Sequence, residues 1–163
     1  MLIMVKIDLI KNKIVKPEEL NQLKAYWKFK GFKVAFTNGC FDILHRGHVE
    51  YLLKAADLGN ILIIGLNSDK SVKRIKGKGR PVQDETSRSL ILASLQFVNY
   101  VILFDEDTPY NLIKSVEPDI LVKGADYKKE EIVGHDIVEN YGGKVITIDL
   151  VEGYSSTSIL NKM

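Results

Sequence analysis

The sequence predicts an α/β fold in which helices cover both faces of a doubly wound parallel sheet. Short apolar segments alternate with amphipathic ones along the whole chain, an order typical of parallel strands joined by crossover helices. The run ILIIGL at 61–66 contains no polar residue, as in a strand that is buried on both faces. The length of 163 residues suits one domain with a full core.

Each predicted element has a local cause. The segment 17–30 places three large apolar residues on one helical face and stops at Gly31. Asp84 is the predicted N-cap of a helix whose apolar face extends to Val98. Thr108 is followed by proline and is the predicted N-cap of another helix, which ends near residue 116. Further helices are predicted at 47–58, at 130–141 and near 155–158. Strands are predicted at 33–36, 60–66, 100–104, 119–122 and 145–150.

Loops of unusual composition follow the predicted strands. Ligands of doubly wound sheets bind outside the carboxyl ends of the strands. The loops 38–48, 67–80 and 123–127 leave such ends, as does the segment after Leu150. We therefore expect these four segments to converge on one crevice. The basic loop within 67–80 has no aromatic residue between its lysines and arginines, which argues against nucleic acid as a partner.

Composition excludes several classes of protein. The net charge is +2 and 45% of the residues are hydrophobic, which indicates a globular protein without a general affinity for nucleic acid or membranes. Cys40 is the only cysteine, so no disulfide forms within the chain and a reducing compartment is expected. The apolar run at 1–5 is interrupted by Lys6 and Asp8 and is too short for a signal peptide or a membrane span. These features predict a cytoplasmic protein.

The run TNGCFDILHRGH at 37–48 contains the strongest functional signal. His45 and His48 flank Gly47 where a predicted strand turns into a helix. A helix N-terminus presents unpaired N–H groups and a positive dipole end, which together bind phosphate. Two imidazoles at this point add donors that could face the phosphoryl oxygens of a nucleotide.

Two other interpretations of the histidines are weaker. Each histidine alone would more often be structural than catalytic, but their joint placement around Gly47 favours function. Zinc is the rival ligand, with Cys40, His45 and His48 as donors. Their spacing matches no common zinc site and no second cysteine is present, so no metal ligands are assigned.

Several motifs of the chain resemble those of a known family. The HxGH element after a strand is similar to that of the nucleotidyltransferase superfamily, which includes cytidylyltransferases and class I aminoacyl-tRNA synthetases. More narrowly, a collinear set of motifs looks like the bacterial heptose 1-phosphate adenylyltransferases. These motifs are FDILHRGH (41–48), LNSD (66–69), RIKG (74–77), RPV (80–82), EDTP (106–109), PDILVKGADY (118–127) and GYSST (153–157).

The resemblance implies a Rossmann-like fold of the nucleotidyltransferase type over residues 32–163, preceded by a helical extension over 1–31. In that family the domain is often fused behind a sugar kinase, and here the adenylyltransferase part alone is expected. The implied reaction joins ATP and a heptose 1-phosphate, with Mg²⁺, into ADP-heptose and pyrophosphate. Asp42 and Asp69 are candidates for indirect contact with Mg²⁺. A homodimer is also expected.

The resemblance assigns roles residue by residue. Lys76, in the glycine-flanked basic loop, joins His45 and His48 as a catalytic residue that binds phosphate. Lys123, Asp126 and Tyr127 are the implied substrate-binding residues, with Lys123 on the phosphate and Asp126 on sugar hydroxyls. The nucleotide-binding residues expected are Asn38, Gly39, Cys40, Phe41, Asp42, Gly47, Asn67, Arg88, Gly124, Ser155, Ser156 and Thr157. Gly47 is expected to leave room for the triphosphate. His135 is expected to be structural.

Two alternatives remain open at this level. The enzyme could be a cytidylyltransferase or adenylyltransferase for another small phosphate, such as glycerol 3-phosphate or FMN. Tyr154 stands where some relatives of the resembled family carry cysteine, which bears on the choice of substrate. From a different class, the chain could be a non-catalytic nucleotide-binding partner of a sugar kinase.

Overall fold

Five parallel strands form a single sheet in the computed structural model, which describes residues 5–151 and 153–160. The strands are β1 (Val34–Gly39), β2 (Ile61–Asn67), β3 (Tyr100–Phe104), β4 (Ile120–Gly124) and β5 (Lys144–Ile148). Their order in space is β3-β2-β1-β4-β5, and every neighbouring pair is parallel. The prediction of a doubly wound α/β fold is therefore confirmed. The strand order reverses between β1 and β4, which opens a crevice at their carboxyl ends.

Helices connect the strands on both faces of the sheet. They are α1 (Lys6–Lys11), α2 (Leu20–Lys30), α3 (Arg46–Ala56), α4 (Asp69–Lys76), α5 (Glu85–Ser94), α6 (Tyr110–Val116), α7 (His135–Asn140) and α8 (Ser156–Leu160), with 3₁₀ turns at Pro17–Glu19 and Lys129–Glu131. None of those in the described ranges is long and apolar enough to cross a membrane.

Side chains alternate between two cores because strand residues point to opposite faces in turn. Phe36 and Ile63 face a core that includes Trp27 from α2. The other face buries Ile64 with Leu52 of α3. Every residue of β2 is buried, as the apolar run at 61–66 predicts. The sheet is thus rigid at the strand ends from which the site is built.

Residues 5–31 pack against the edge of the sheet. Ile14 forms a parallel bridge to Val101 of β3, and the ring of Trp27 lies 5.2 Å from that of Tyr100. Gly31, with φ of 66°, ends α2 where the sequence predicts its end. Helix α1 falls within the helical extension expected over 1–31, although no separate helix was predicted at 6–11. The apolar run 1–5 lies outside the described residues except for Val5.

Several predicted elements are wrong in detail. The segment predicted as a loop at 67–80 contains α4, because the Ser68 side chain caps its N-terminus. Thr108 caps no helix; α6 begins at Tyr110 after Pro109. The helix predicted at 130–141 is split by Gly134, whose φ is 85°. His135 therefore begins α7 rather than lying in the middle of a helix, and its Nδ1 contacts the Ile132 carbonyl at 2.9 Å.

Candidate active site

A cavity of about 500 Å³ opens at the carboxyl ends of β1 and β4. Its wall contains residues from all four segments that the sequence predicts to converge. Every predicted catalytic, nucleotide-binding and substrate-binding residue except Arg88 lines it: Asn38, Gly39, Cys40, Phe41, Asp42, His45, Gly47, His48, Asn67, Lys76, Lys123, Gly124, Asp126, Tyr127, Ser155, Ser156 and Thr157. Asp69, a candidate for indirect contact with Mg²⁺, does not line it and accepts a hydrogen bond from Arg88. The convergence follows from the strand order, because parallel strands end at the same edge of the sheet.

His45 is the N-cap of α3 and has a defined tautomer. Its backbone is extended, and its Nδ1 accepts a hydrogen bond from the His48 backbone N–H at 3.4 Å. Since Nδ1 accepts, the proton of the neutral imidazole lies on Nε2. That Nε2 is buried and has no hydrogen-bond partner among the described residues. An unpaired buried donor beside a cavity is costly, and an anion in the cavity would satisfy it.

His48 packs directly on His45. The two ring centroids lie 3.8 Å apart with 22° between the planes, and Phe41 meets the His48 ring edge-on at 5.2 Å. Burial lowers the pKa of His45. Burial, together with the neighbouring His45 and Lys76, lowers the pKa of His48 to about 4. Both imidazoles are therefore neutral at pH 7 without ligand and act as polar groups rather than as cations.

Neighbouring residues leave little room for a side chain at Gly47. A Cβ built on Gly47 would lie 3.1 Å from the His45 ring and 3.1 Å from the Cβ of Tyr154. The sequence-based expectation was that the missing side chain leaves room for a triphosphate. That expectation stays a prediction, and the structure adds a reason within the protein: His45 and the segment after β5 approach α3 closely at Gly47.

Lys76 reaches the cavity from the end of α4. It is the last residue of that helix and is followed by Gly77, whose φ is 85°. Helix α4 is held against the loop after β3, because Arg74 Nε donates to Asp107 Oδ1 at 2.7 Å. Asp107 itself lines the cavity. The lysine thus extends from an ordered helix and not from the mobile loop that the sequence suggests.

Lys123 lies at the carboxyl end of β4 and lines the same cavity as the histidines. Its Nζ donates to Asn38 Oδ1. Burial lowers its pKa to about 8, against the opposing effect of Asp126 and Cys40. A Cβ on Gly124 would lie 2.5 Å from Asp126 Oδ1, so this glycine allows Asp126 to fold back beside the lysine. At pH 7 the cavity therefore holds a partly buried ammonium group that can pair with an anionic ligand.

Asp42 supports the walls of the cavity rather than offering a free carboxylate. Its Oδ1 accepts from the Val82 N–H at 2.7 Å and the Gln83 N–H at 3.1 Å, and Oδ2 accepts from Arg80. Burial raises the pKa of Asp42, but the hydrogen bonds from Gln83, Arg80 and Val82 outweigh it and hold the pKa below its usual range. Asp42 joins the loop after β1 to the turn before α5.

Arg88 does not line the cavity, contrary to its expected contact with the nucleotide. It is 1% exposed. Its guanidinium donates to the carbonyl oxygens of Cys40, Asn67 and Gln83 at 2.7–3.0 Å and to Asp69 Oδ1 at 2.7 Å. Those four bonds use four of the five N–H donors of the guanidinium. Arg88 instead ties the ends of β1 and β2 together beneath the cavity.

Sequence reasoning missed several residues of the wall: Tyr51, Ile75, Asp107, Leu150 and Val151. Tyr51 Oη lies 2.8 Å from Thr37 Oγ1, and burial raises its pKa to about 12. Tyr51 follows His48 by three residues, so helical periodicity could have found it. Ile75 and Asp107 fall within the motifs RIKG and EDTP, which carry the resemblance, whereas Leu150 and Val151 carry no local signal. Tyr154, to which the sequence analysis assigns no binding or catalytic role, also lines the cavity.

The residues present do not form a protein-held metal site. Within 5–151 and 153–160, no group of three or more His, Cys, Asp or Glu side chains could hold a metal ion. The carboxylates at the cavity wall are partly engaged, since Asp42 and Asp107 pair with arginines. The donor set therefore fits a cation that arrives on substrate phosphates, not one resident in a cage.

The comparisons with known proteins decide the family. The model of the cytidylyltransferase-like family matches residues 36–162, which is most of the chain. The chain belongs to this family. It is thereby a nucleotidyltransferase, and nucleotidyltransferases of this kind generally use a divalent metal ion.

Relatives of this cytidylyltransferase-like chain are longer proteins. The bifunctional protein HldE of Syntrophotalea carbinolica is 52% identical over 152 residues, covering 93% of this chain and 31% of the relative. HldE of Nitratiruptor sp. is 54% identical over 146 residues, which cover 90% of this chain and 31% of the relative. The chain thus spans about a third of the length of these relatives.

A solved structure shares the fold. The lipopolysaccharide core biosynthesis protein of Thermoplasma volcanium is 31% identical, with a TM-score of 0.65. The match covers 75% of this chain and all of the other. The Rossmann-like architecture inferred from strand order is therefore shared with a protein described as acting in lipopolysaccharide core biosynthesis.

Proposed function

We propose that this chain transfers AMP from ATP to D-glycero-D-manno-heptose 1-phosphate, giving ADP-heptose and pyrophosphate for a lipopolysaccharide or other surface glycan. The observation that carries the proposal is the stacked pair His45 and His48, with an unpaired donor in a cavity that also holds Lys76 and Lys123. The HldE relatives and the lipopolysaccharide core protein support this choice of substrate.

The reaction requires two anions to meet. A phosphate oxygen of the sugar attacks the α-phosphorus of ATP, a new P–O bond forms, and the bond to the β-phosphate breaks as pyrophosphate leaves. The attacking oxygen is already ionised at pH 7, so no protein base or nucleophile is needed. Catalysis is positioning plus stabilisation of charge on the phosphates. In the proposal, His45 Nε2–H, His48 and Lys76 supply that stabilisation.

The remaining predicted residues divide between the two substrates. Lys123 pairs with the phosphate of the sugar, because its partly buried ammonium group lines the same cavity as the histidines. Asp126 and Tyr127 are exposed residues of the same cavity wall and accept hydrogen bonds from sugar hydroxyls. The nucleotide occupies the part of the wall contributed by Asn38, Gly39, Cys40, Phe41, Gly47, Asn67, Gly124, Ser155, Ser156 and Thr157.

Mg²⁺ enters the proposal as a companion of ATP. Magnesium keeps much of its water shell and binds substrate phosphates together with few protein carboxylates. Asp126 is the cavity carboxylate with no arginine partner in the described structure. Bound Mg²⁺ would neutralise part of the triphosphate charge, while the protein donors described above act on the rest.

Pyrophosphate release tests the function. We would measure it with ATP, CTP, GTP and UTP, each crossed with heptose 1-phosphate, glycerol 3-phosphate and FMN, in the presence of Mg²⁺. Release with ATP and heptose 1-phosphate alone is the expected result. Release with another pair of substrates would change the assigned substrate but keep the assignment as a nucleotidyltransferase. No release from a folded protein that still binds nucleotide would support a non-catalytic role beside a sugar kinase.

Two properties of the assembly belong to the same proposal. We infer that the enzyme is a homodimer and that it acts in the cytoplasm. The support is the resemblance to the heptose 1-phosphate adenylyltransferases, together with the single cysteine. Sedimentation velocity at micromolar concentration would measure the mass directly, and a monomer at all concentrations would contradict the first inference.

A further inference from the structure

Tyr154 makes an unusual set of contacts for a half-exposed tyrosine. It follows the last strand and is 43% exposed. Its ring is stacked on that of His45, with 6.3 Å between centroids and 29° between planes. The guanidinium carbon of Arg46 lies 5.8 Å from the Tyr154 ring centroid. The Cβ of Tyr154 occupies the space that a side chain on Gly47 would need. Three consecutive residues at the start of α3 thus contact it.

These contacts complete a column of rings. Tyr154, His45 and His48 are stacked in that order, and Phe41 meets His48 edge-on. Aromatic pairs at such separations attract each other beyond simple burial. Contact with both rings restricts rotation about the side-chain bonds of His45. The unpaired Nε2–H of His45 is thereby held at one position relative to the cavity.

Tyr154 also precedes the hydroxyl-bearing segment Ser155–Thr157, which lines the same cavity. A second attachment of that segment is the hydrogen bond from Ser156 Oγ to the Ile43 carbonyl at 3.3 Å. Both attachments lead to the loop and helix that carry the histidines. The segment after β5 is therefore docked on the start of α3 through one ring and one hydrogen bond.

We propose that Tyr154 is a positioning residue that holds His45 and the segment Ser155–Thr157 in register with each other across the cavity. The proposal rests on the proposed function for its kinetic part. The ring supplies the contact with His45, so the hydroxyl group, which interacts with Arg46, is not required for that contact. A group held too loosely by its supporting contacts loses much of its catalytic effect.

The structural part is tested by NMR titration of the imidazoles. The chain has three histidines, so the three ring signals can be assigned with His135→Gln and His48→Gln variants. Burial lowers the pKa of His45, and Tyr154 covers that ring. In Tyr154→Ala the pKa of His45 should rise toward 6.5, whereas Tyr154→Phe should leave it at the wild-type value. Tyr110→Ala, at a similarly exposed tyrosine outside the cavity, is the matched control.

The kinetic part uses the same variants. Tyr154→Ala should lower kcat by about tenfold or more, because a shift of about 1 Å in a catalytic group can cost that much. Tyr154→Phe should retain kcat within about twofold, since the stacking is kept. If Tyr154→Ala fails to fold, Tyr154→Leu replaces it, because leucine fills space without an aromatic face.

Two outcomes would overturn the proposal. One is an unchanged pKa of His45 in Tyr154→Ala and Tyr154→Leu. The other is a kcat equal to that of the wild type in both. Failure of the proposed function would appear as an inactive wild-type protein, and the NMR titration would still decide whether Tyr154 positions His45.

Discussion

His48 is the residue whose loss should affect turnover most directly. We expect His48→Ala to lower kcat by about 10²–10³-fold, the usual cost of removing a donor that stabilises transition-state charge. The fold should survive, because His48 lies on the first turn of α3 at the cavity wall. The loss of turnover is measured as pyrophosphate release in a stopped assay. His135→Ala is the control, since His135 begins α7 and does not line the cavity. Retained release in His48→Ala would remove His48 from the mechanism.

The depressed pKa of His48 also predicts a pH dependence of stability. Its pKa is about 4 in the folded protein and 6.5 as the ordinary value. Between these values the unfolded chain binds a proton that the folded one does not, so the free energy of unfolding falls as pH decreases from about 6.5 to 4. Above 6.5 the contribution is constant. Urea titrations between pH 4 and 6.5 should show that the free energy of unfolding depends less steeply on pH in His48→Gln than in the wild type. Equal slopes would contradict the lowered pKa of His48.

At the scale of elements, Arg88 connects the ends of two strands. Replacing it with methionine leaves three carbonyl oxygens and Asp69 without their donor. We expect a loss of about 3 kcal/mol in the free energy of unfolding, the range found when a buried charged partner is removed. The KM for ATP should rise as well, because the Cys40 carbonyl and Asn67 belong to segments of the cavity wall. Lys28→Met, at an exposed lysine of α2, should change neither quantity.

The same scale shows where sequence reasoning succeeds and where it stops. The strands and the HxGH turn carry local signals, namely β-branched apolar runs and a glycine between two histidines. Helix α4 does not: its residues are mostly basic and polar, and it depends on Ser68 as a cap and on the distant Asp107 as a partner of Arg74. The burial of Arg88 likewise depends on carbonyls 5 to 48 residues away along the chain, which no local pattern encodes.

At the scale of the whole molecule, residues 5–31 contribute to the core. Trp27 is 2% exposed and packs on Tyr100. We expect Trp27→Ala to cost about 3–5 kcal/mol in the free energy of unfolding. Phe29, two residues later on α2, is 84% exposed, so Phe29→Ala should stay within about 0.5 kcal/mol. Urea unfolding followed by circular dichroism measures both, and equal small effects would mean that α2 is dispensable. A domain boundary at residue 31 stays a prediction.

Whole-molecule topology accounts for the convergence of the site. A single feature, the reversal of strand order between β1 and β4, brings together residues from 38 to 157. The role of each residue could be predicted only as far as the resemblance reached. The contacts that orient them, such as His48 N–H on His45 Nδ1 and Tyr154 on His45, depend on the packed geometry.

Cys40 gives this protein a built-in chemical probe. It is the sole thiol of the chain, it lies in the wall of the cavity, and burial raises its pKa, so at neutral pH it is mostly protonated and slow to react. An alkylating reagent can therefore add one label at most, at one place. Any molecule that fills the cavity should shield that thiol, and intact-mass spectrometry of the labelling rate would rank ligands without requiring a single turnover.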